Sequence, residues 1–161
     1  MKRNVKEVYF NESIASLTAD HQKKLKWFHE HQNLAVSWIE ISSKKLAIIP
    51  KGIYKPAEWV YALSAKTTMS ESYDDGTIRM NDDSSWEQVY CPEKPKDGSY
   101  AYTNKALIEC AKDFVPIGYL TQVKQKPSTY RVMGPALVEY KEASDMFNLI
   151  GCSSEGVFSI F

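Results

Sequence analysis

From Thr103 onward the sequence divides cleanly between one helix and a run of strands, and this most narrows what the chain can fold into. Ala106, Leu107, Cys110, Ala111 and Phe114 recur at the spacing of one buried helical face, and Thr103 stands where a cap belongs. Pro116 stops that helix. Three β-rich runs follow, at 117–123, 130–140 and 157–161, the first two joined by the turn Lys126-Pro127-Ser128. An earlier helix is expected over about 19–32, with Thr18 as its N-cap, Leu17, Leu25 and Phe28 on its apolar stripe, and Asn33 at its exit. Between the two helices the spacing predicts short strands at 35–41, 46–49, 60–65 and 86–90, separated by Pro/Gly-punctuated loops. Two helices with six or seven strands give an α+β domain on a strongly bent sheet or small barrel with flanking helices. At 161 residues the chain is read as a single domain, 1–161, with its sheet core over about 35–161.

Charge excludes some functions. Lys plus Arg and Asp plus Glu both number 20, so nucleic-acid binding by bulk charge is not expected, and phosphate contacts should be few. The balance is uneven along the chain, with residues 1–60 carrying 10 basic and 6 acidic side chains and residues 61–100 carrying 4 and 8. The longest uncharged apolar stretch, 114–123, is far shorter than the roughly 20 residues of a membrane helix, and no apolar run follows the basic N-terminus. A cytoplasmic protein without membrane contact is therefore expected. Cys91, Cys110 and Cys152 are widely spaced and form no C-x-x-C pair, so they read as reduced thiols rather than as zinc or redox ligands.

Few residue groups suggest chemistry. His21, His29 and His31 lack the spacing to chelate a metal from one helix face and are expected to face solvent. No nucleophile elbow and no phosphate loop is present. Glu139 and Lys141 form an E-x-K at a strand end, which with Asp113 could hold a divalent cation for phosphodiester hydrolysis. The aromatics are more informative. Tyr73-Asp74-Asp75-Gly76 precedes Trp86 and Tyr90, with Tyr100 and Tyr102 beyond. Aromatic faces beside a carboxylate and small hydroxyl residues suit a flat ring with a hydrogen-bonding edge, such as a nucleobase. The same residues also suit a β core and a turn.

Several short motifs recur in a particular order. They are Gly52-Ile53-Tyr54-Lys55-Pro56, Ala62-Leu63-Ser64 with Thr67-Thr68, Tyr73-Asp74-Asp75, the aromatic strand Trp86 to Tyr90, Thr103-Asn104-Lys105-Ala106-Leu107, Val115-Pro116-Ile117-Gly118, and Tyr130-Arg131-Val132-Met133-Gly134. In this order the chain resembles the SRA/YDG domains, and more closely the N-terminal domains of bacterial HNH-type modification-dependent restriction endonucleases. The resemblance implies a PUA-like fold and a non-catalytic module that flips a modified base, a cytosine derivative, out of double-stranded DNA in modification-dependent restriction or phage defence. It implies that Tyr73 stacks on the base, that Asp75 or Asp74 reads its Watson–Crick edge, and that Ser64 and Thr67 line the pocket with Trp86 and Tyr90 opposite. Lys51, Lys55, Lys66 and Arg79 flank that pocket as phosphate contacts. No cofactor or metal is implied, and the nuclease would be a separate domain or subunit. A small metal-dependent nuclease and a PUA-like module for RNA or protein stand as alternatives.

Overall fold

A computed structural model describes residues 6–48, 52–69, 78–92 and 102–160. In chain order these form β1 (Lys6–Tyr9), α1 (Phe10–Ser13), α2 (Ala19–Glu30), β2 (Ala35–Ser37), α3 (Trp38–Ser43), β3 (Ile53–Tyr54) and β4 (Ser64–Thr67). They continue with β5 (Arg79–Met80), β6 (Trp86–Tyr90), α4 (Tyr102–Asp113), β7 (Ile117–Gln125), β8 (Ser128–Lys141), β9 (Met146–Gly151) and β10 (Val157–Ile160). The main sheet runs β3-β4-β7-β8-β9-β6-β5, with β2 also paired to β8, while β1 and β10 form a separate antiparallel ribbon. Among the described residues only β4 and β7 pair in parallel; the crossover between them passes through β5, β6 and α4.

The sheet is bent, and the cause is local. β8 spans 14 residues and pairs β2 along its first part and β9 along its last. Between them sit Gly134, with φ of +100°, and Pro135, which has no N–H for the ladder. Just before them the ladder skips Met133, since Tyr119 pairs Gly134 and Leu120 pairs Val132. A bulge in β8 itself, next to a left-handed glycine and a proline, turns the strand. The sheet stays open, with β3 and β5 as its edges. The α+β class and the bent sheet are as expected, and the open form replaces the barrel alternative.

The bend gives the sheet an inner face, covered by α4, and an outer face, covered by α2 and α3. The inner core joins Ala106, Leu107 and Cys110 of α4 to Trp86, Tyr119, Met133, Ala136 and Phe147. The outer side has two cores. Phe28 of α2 meets Ile41, Leu46, Leu120, Tyr130 and Val132 in one, and Leu25 meets Phe10, Leu63, Leu137, Ile150 and Phe158 in the other. Close approach on the outer face depends on Gly118 of β7, where a Cβ would lie 2.3 Å from the Phe28 ring.

Thr18 caps α2 as expected, accepting from the His21 N–H at 3.3 Å. α4 ends before Pro116 as expected, through Phe114 in the left-handed region. Several expectations need correction. The strand expected over 35–41 stops at Ser37, whose hydroxyl caps α3 instead by accepting from the Glu40 N–H. No strand forms over Leu46–Ile48, and β4 begins at Ser64 rather than Val60. Thr103 lies inside α4, not at its cap. β9 was not anticipated, because Met146–Gly151 lacks clear alternation and follows the polar turn 142–145.

Candidate functional site

β4 separates the residues expected to share a pocket wall. Ser64 pairs with Gly118 on the outer face, and its hydroxyl donates to the Leu46 carbonyl at 2.6 Å. Lys66, two residues on, shares that face. It is 4% exposed, and its ammonium lies 5.9 Å from the centre of the Trp38 ring. Thr67 lies on the inner face and is hydrogen-bonded to the Tyr119 hydroxyl. Alternation along a strand makes this division unavoidable.

On the inner face Tyr119 links the expected residues. Its ring stacks on Trp86 at 5.4 Å and meets Tyr90 edge-on at 6.0 Å. β6 and β7 are three strands apart in the sheet, roughly 14 Å if it were flat. Contact between their side chains therefore reports the curl. Trp86 reaches inward because Gly151 beneath it has no side chain; a Cβ there would lie 2.0 Å from the indole. The indole N–H donates to the Met133 carbonyl at 2.8 Å. Trp86 is fully buried and Tyr90 is 5% exposed, so both stand behind the surface rather than on it.

Buried polar side chains lie on the strands and helix of this inner layer. Besides Thr67 they are Gln88, between Trp86 and Tyr90 on the same face of β6, and Thr103 and Asn104 in the first turn of α4. Buried polar groups are tolerated where they are hydrogen-bonded, as Thr67 is to the Tyr119 hydroxyl. Two further segments begin or end at this cluster. β4 leads into residues 70–77, through Met69, whose N–H donates to the Gln122 side chain at 3.0 Å. β6 leads into residues 93–101. Tyr73, Asp74 and Asp75, and Tyr100, lie outside the described residues, as does Lys51.

Compared with known proteins, the chain matches no family model and no curated protein. Among solved structures it is similar to the SUVH5 SRA in complex with fully methylated CG DNA, at 19% identity and a TM-score of 0.45 over 71% of this chain and 82% of that one. It is similar to the SUVH5 SRA complex with methylated CHH DNA, at 14% identity and 0.48 over 78% and 84%. It is also similar to KRYPTONITE in complex with mCHH DNA, an H3(1-15) peptide and SAH, at 14% identity and 0.47 over 88% of this chain and 39% of that one.

The remaining expected cations differ in setting. Arg79 is exposed on edge strand β5, beside a cleft of about 580 Å³ that Asn81, Asp82, Asp83, Ser85 and Glu87 also line. Asp83 accepts from the Ser85 hydroxyl and N–H, which holds its carboxyl below the usual range. The Lys55 ammonium is 6.0 Å from the Tyr102 ring centre.

The alternative chemistry finds less. The Asp113 carboxylate accepts from the Tyr61 hydroxyl at 2.6 Å, and this bond, more than burial, pushes Tyr61 up to about 12. Lys141 pairs with Glu139 at 3.7 Å. Among the described residues no three His, Cys, Asp or Glu side chains gather as metal ligands. The histidines need correction, because none is fully solvent-facing. His21 is 4% exposed and packs 4.3 Å from Trp59, His31 stacks on Trp27 at 4.2 Å, and His29 lies beside Phe10. Burial pushes the Cys110 and Cys152 thiols up to about 12, so neither is a thiolate nucleophile. No helix among the described residues is long and apolar enough to cross a membrane.

Tyr119, Gln88 and Asn104 are site residues that residue-by-residue reading did not single out. For Tyr119 the signal was available, since Ile117, Tyr119 and Thr121 alternate along a recognised strand. For Asn104 the only signal was its place in a motif. Full burial of an asparagine in a helix is visible only in the packing.

Proposed function

We propose that this chain is a non-catalytic, SRA-like module that reads a modified base, a cytosine derivative, in double-stranded DNA by flipping it from the helix. The observation that carries the reading is the Trp86–Tyr119–Tyr90 aromatic cluster with Thr67 bonded to Tyr119 and Gln88 between Trp86 and Tyr90, while Thr103 and Asn104 are buried on the covering helix α4. The ordered sequence motifs support it independently. In this reading Tyr73 stacks on the flipped ring, and Asp75 or Asp74 accepts from its exocyclic amine. Thr67 lines the inner wall, with Tyr90, Trp86 and Tyr119 packed behind it. Lys55 and Arg79 flank the pocket as phosphate contacts. Stacking worth about 1–3 kcal/mol per base offsets an unstacking cost of a few kcal/mol, so a pocket that favours the modified ring sets the selectivity. The module would serve modification-dependent restriction or phage defence, with cleavage supplied by a nuclease domain or subunit.

The test is a low-salt binding titration. The probes are matched duplexes carrying cytosine, 5-methylcytosine, 5-hydroxymethylcytosine or its glucosylated form, with single-stranded RNA alongside. Tighter binding to one modified duplex, with the preference lost in Asp75→Ala, is the expected result. Equal affinity for every duplex overturns base reading, and preference for RNA moves the chain to a different class.

A further inference from the structure

The inner face does not end at Tyr119. Thr67 of β4 pairs with Thr121 of β7, Thr121 with Arg131 of β8, and Arg131 with Ala35 of β2. Register partners share a face, so this row crosses four strands on the same side as the candidate pocket. The next row outward on that side is Lys124, Thr129 and Ser37. Rows two residues apart are roughly 7 Å from each other, and Arg131 is two strands from Thr67, roughly 10 Å. The cations Lys124 and Arg131 thus lie beside the pocket wall. Both are exposed, as is Lys126 in the turn beyond.

The hairpin itself carries no carboxylate. From Phe114 to Val138 the chain has no Asp or Glu. β2 has none either, and Glu40 of α3 is the nearest along the chain. Among the described residues the ion pairs are Lys24–Asp20, Lys112–Glu109 and Lys141–Glu139, all elsewhere. The Arg131 guanidinium instead donates to the Asn33 side chain at 3.4 Å, a neutral partner that steadies it without quenching its charge. Thr121, Thr129 and Ser37 share the rows of these cations. The Gln122 side chain accepts from the Met69 N–H and donates to Ser128. It thus ties the root of residues 70–77, which carry Tyr73 and Asp75, to this hairpin.

We propose that Lys124, Lys126 and Arg131, with the hydroxyls between them, bind the phosphodiester backbone of the duplex whose base enters the inner face. This rests on the base-reading proposal for its ligand, but it adds a surface that neither the motifs nor the net charge indicates. Zero net charge conceals it, because the folded chain separates the two signs. The long β8 begins at this basic hairpin and ends at the turn carrying Glu142 and Asp145. Phosphate contacts here supply affinity and orientation without sequence information.

The test uses the full chain, a duplex with one modified cytosine, its unmodified twin, and salt titrations of both. The variants are Lys124→Gln with Arg131→Gln, and Lys23→Gln on the exposed side of α2 as a control; thermal melting checks that each is folded. Each phosphate contact contributes a slope of about −0.9 in log K against log[salt]. The double variant should therefore lose nearly two units of slope. It should weaken both duplexes by the same factor, tenfold or more at low salt, and keep the ratio between them, while Lys23→Gln changes nothing. A wild-type slope in the double variant overturns this proposal while leaving base reading intact. A reduced slope with no modification preference in the wild-type chain upholds the phosphate surface and removes base reading. No duplex binding by the wild-type chain overturns both.

Discussion

The two faces of the sheet are made by the same strands, yet their cores differ in kind. On the outer face Phe28 rests on Gly118, and Ile41, Leu46, Leu120 and Val132 close around it. Its buried polar side chains are Ser64, which bonds the Leu46 carbonyl, and Lys66, which lies beside Trp38. On the inner face the aromatic rings are as tightly packed, but Thr67, Gln88, Thr103 and Asn104 are buried with them. The difference teaches that the outer face is organised for stability. The inner face buries several polar side chains beside its rings, and its rows continue towards the cations of the β7–β8 hairpin. A stable scaffold on one side allows the other to carry buried polar groups.

The comparison can be broken most forcefully at Phe28. Phe28→Ala empties the outer core and should cost about 3–5 kcal/mol. A denaturant melt should show this while the ratio of affinities for modified and unmodified duplex stays fixed. A changed ratio would mean that the faces are coupled.

The second largest effect concerns the buried side of α2. Desolvation holds His21 at about 4, below its ordinary 6.5, against the opposing pull of Asp20. The unfolded chain then takes up the proton first, so stability is complete above pH 6.5 and falls as pH drops towards 4. The loss is on the order of 3 kcal/mol. Unfolding curves across that window should flatten in His21→Phe, and an unchanged pH dependence would show that His21 finds a partner when charged.

On the inner face Gly151→Ala drives a methyl into the Trp86 indole. Overpacking of this kind costs typically about 1–3 kcal/mol. Because Trp86 supports Tyr119, stability and modified-duplex preference should fall together, and loss of stability alone would detach Trp86 from the site. The smallest and most diagnostic change is Thr67→Val. It removes the hydroxyl bonded to Tyr119 at a cost of about 1 kcal/mol. Binding preference should drop by more than stability, and the reverse order would make this hydroxyl purely structural.

Much of the local structure was legible because it depends on near neighbours. Thr18 caps a helix through a bond three residues away, Pro116 cannot extend one, and Trp86, Gln88 and Tyr90 alternate in a strand that forms as read. The segment after Asn33 was misread because β-branched and aromatic residues suit a strand, whereas Ser37 offers a helix cap and Ile41 a buried anchor. Expecting Ser64 and Thr67 on one wall failed to weigh their odd spacing. The histidines were misplaced because helical periodicity cannot tell which neighbour covers a side chain.

By itself, the sequence determined the helices α2 and α4, the strands β6, β7, β8 and β10, and the alternation of aromatic and small polar residues along them. These follow from backbone sterics, capping and alternation within a few residues. Only the tertiary structure decided that β4 lies parallel to β7, that the sheet bends at Gly134 and Pro135, and that Trp86 crosses Gly151 to reach Tyr119. It also decided that Lys124 and Arg131 of the basic hairpin lie on the same side of the sheet as Thr67 and Tyr119. Such outcomes depend on packing between residues distant in sequence, and one-dimensional order does not record which of those distant residues come to lie side by side.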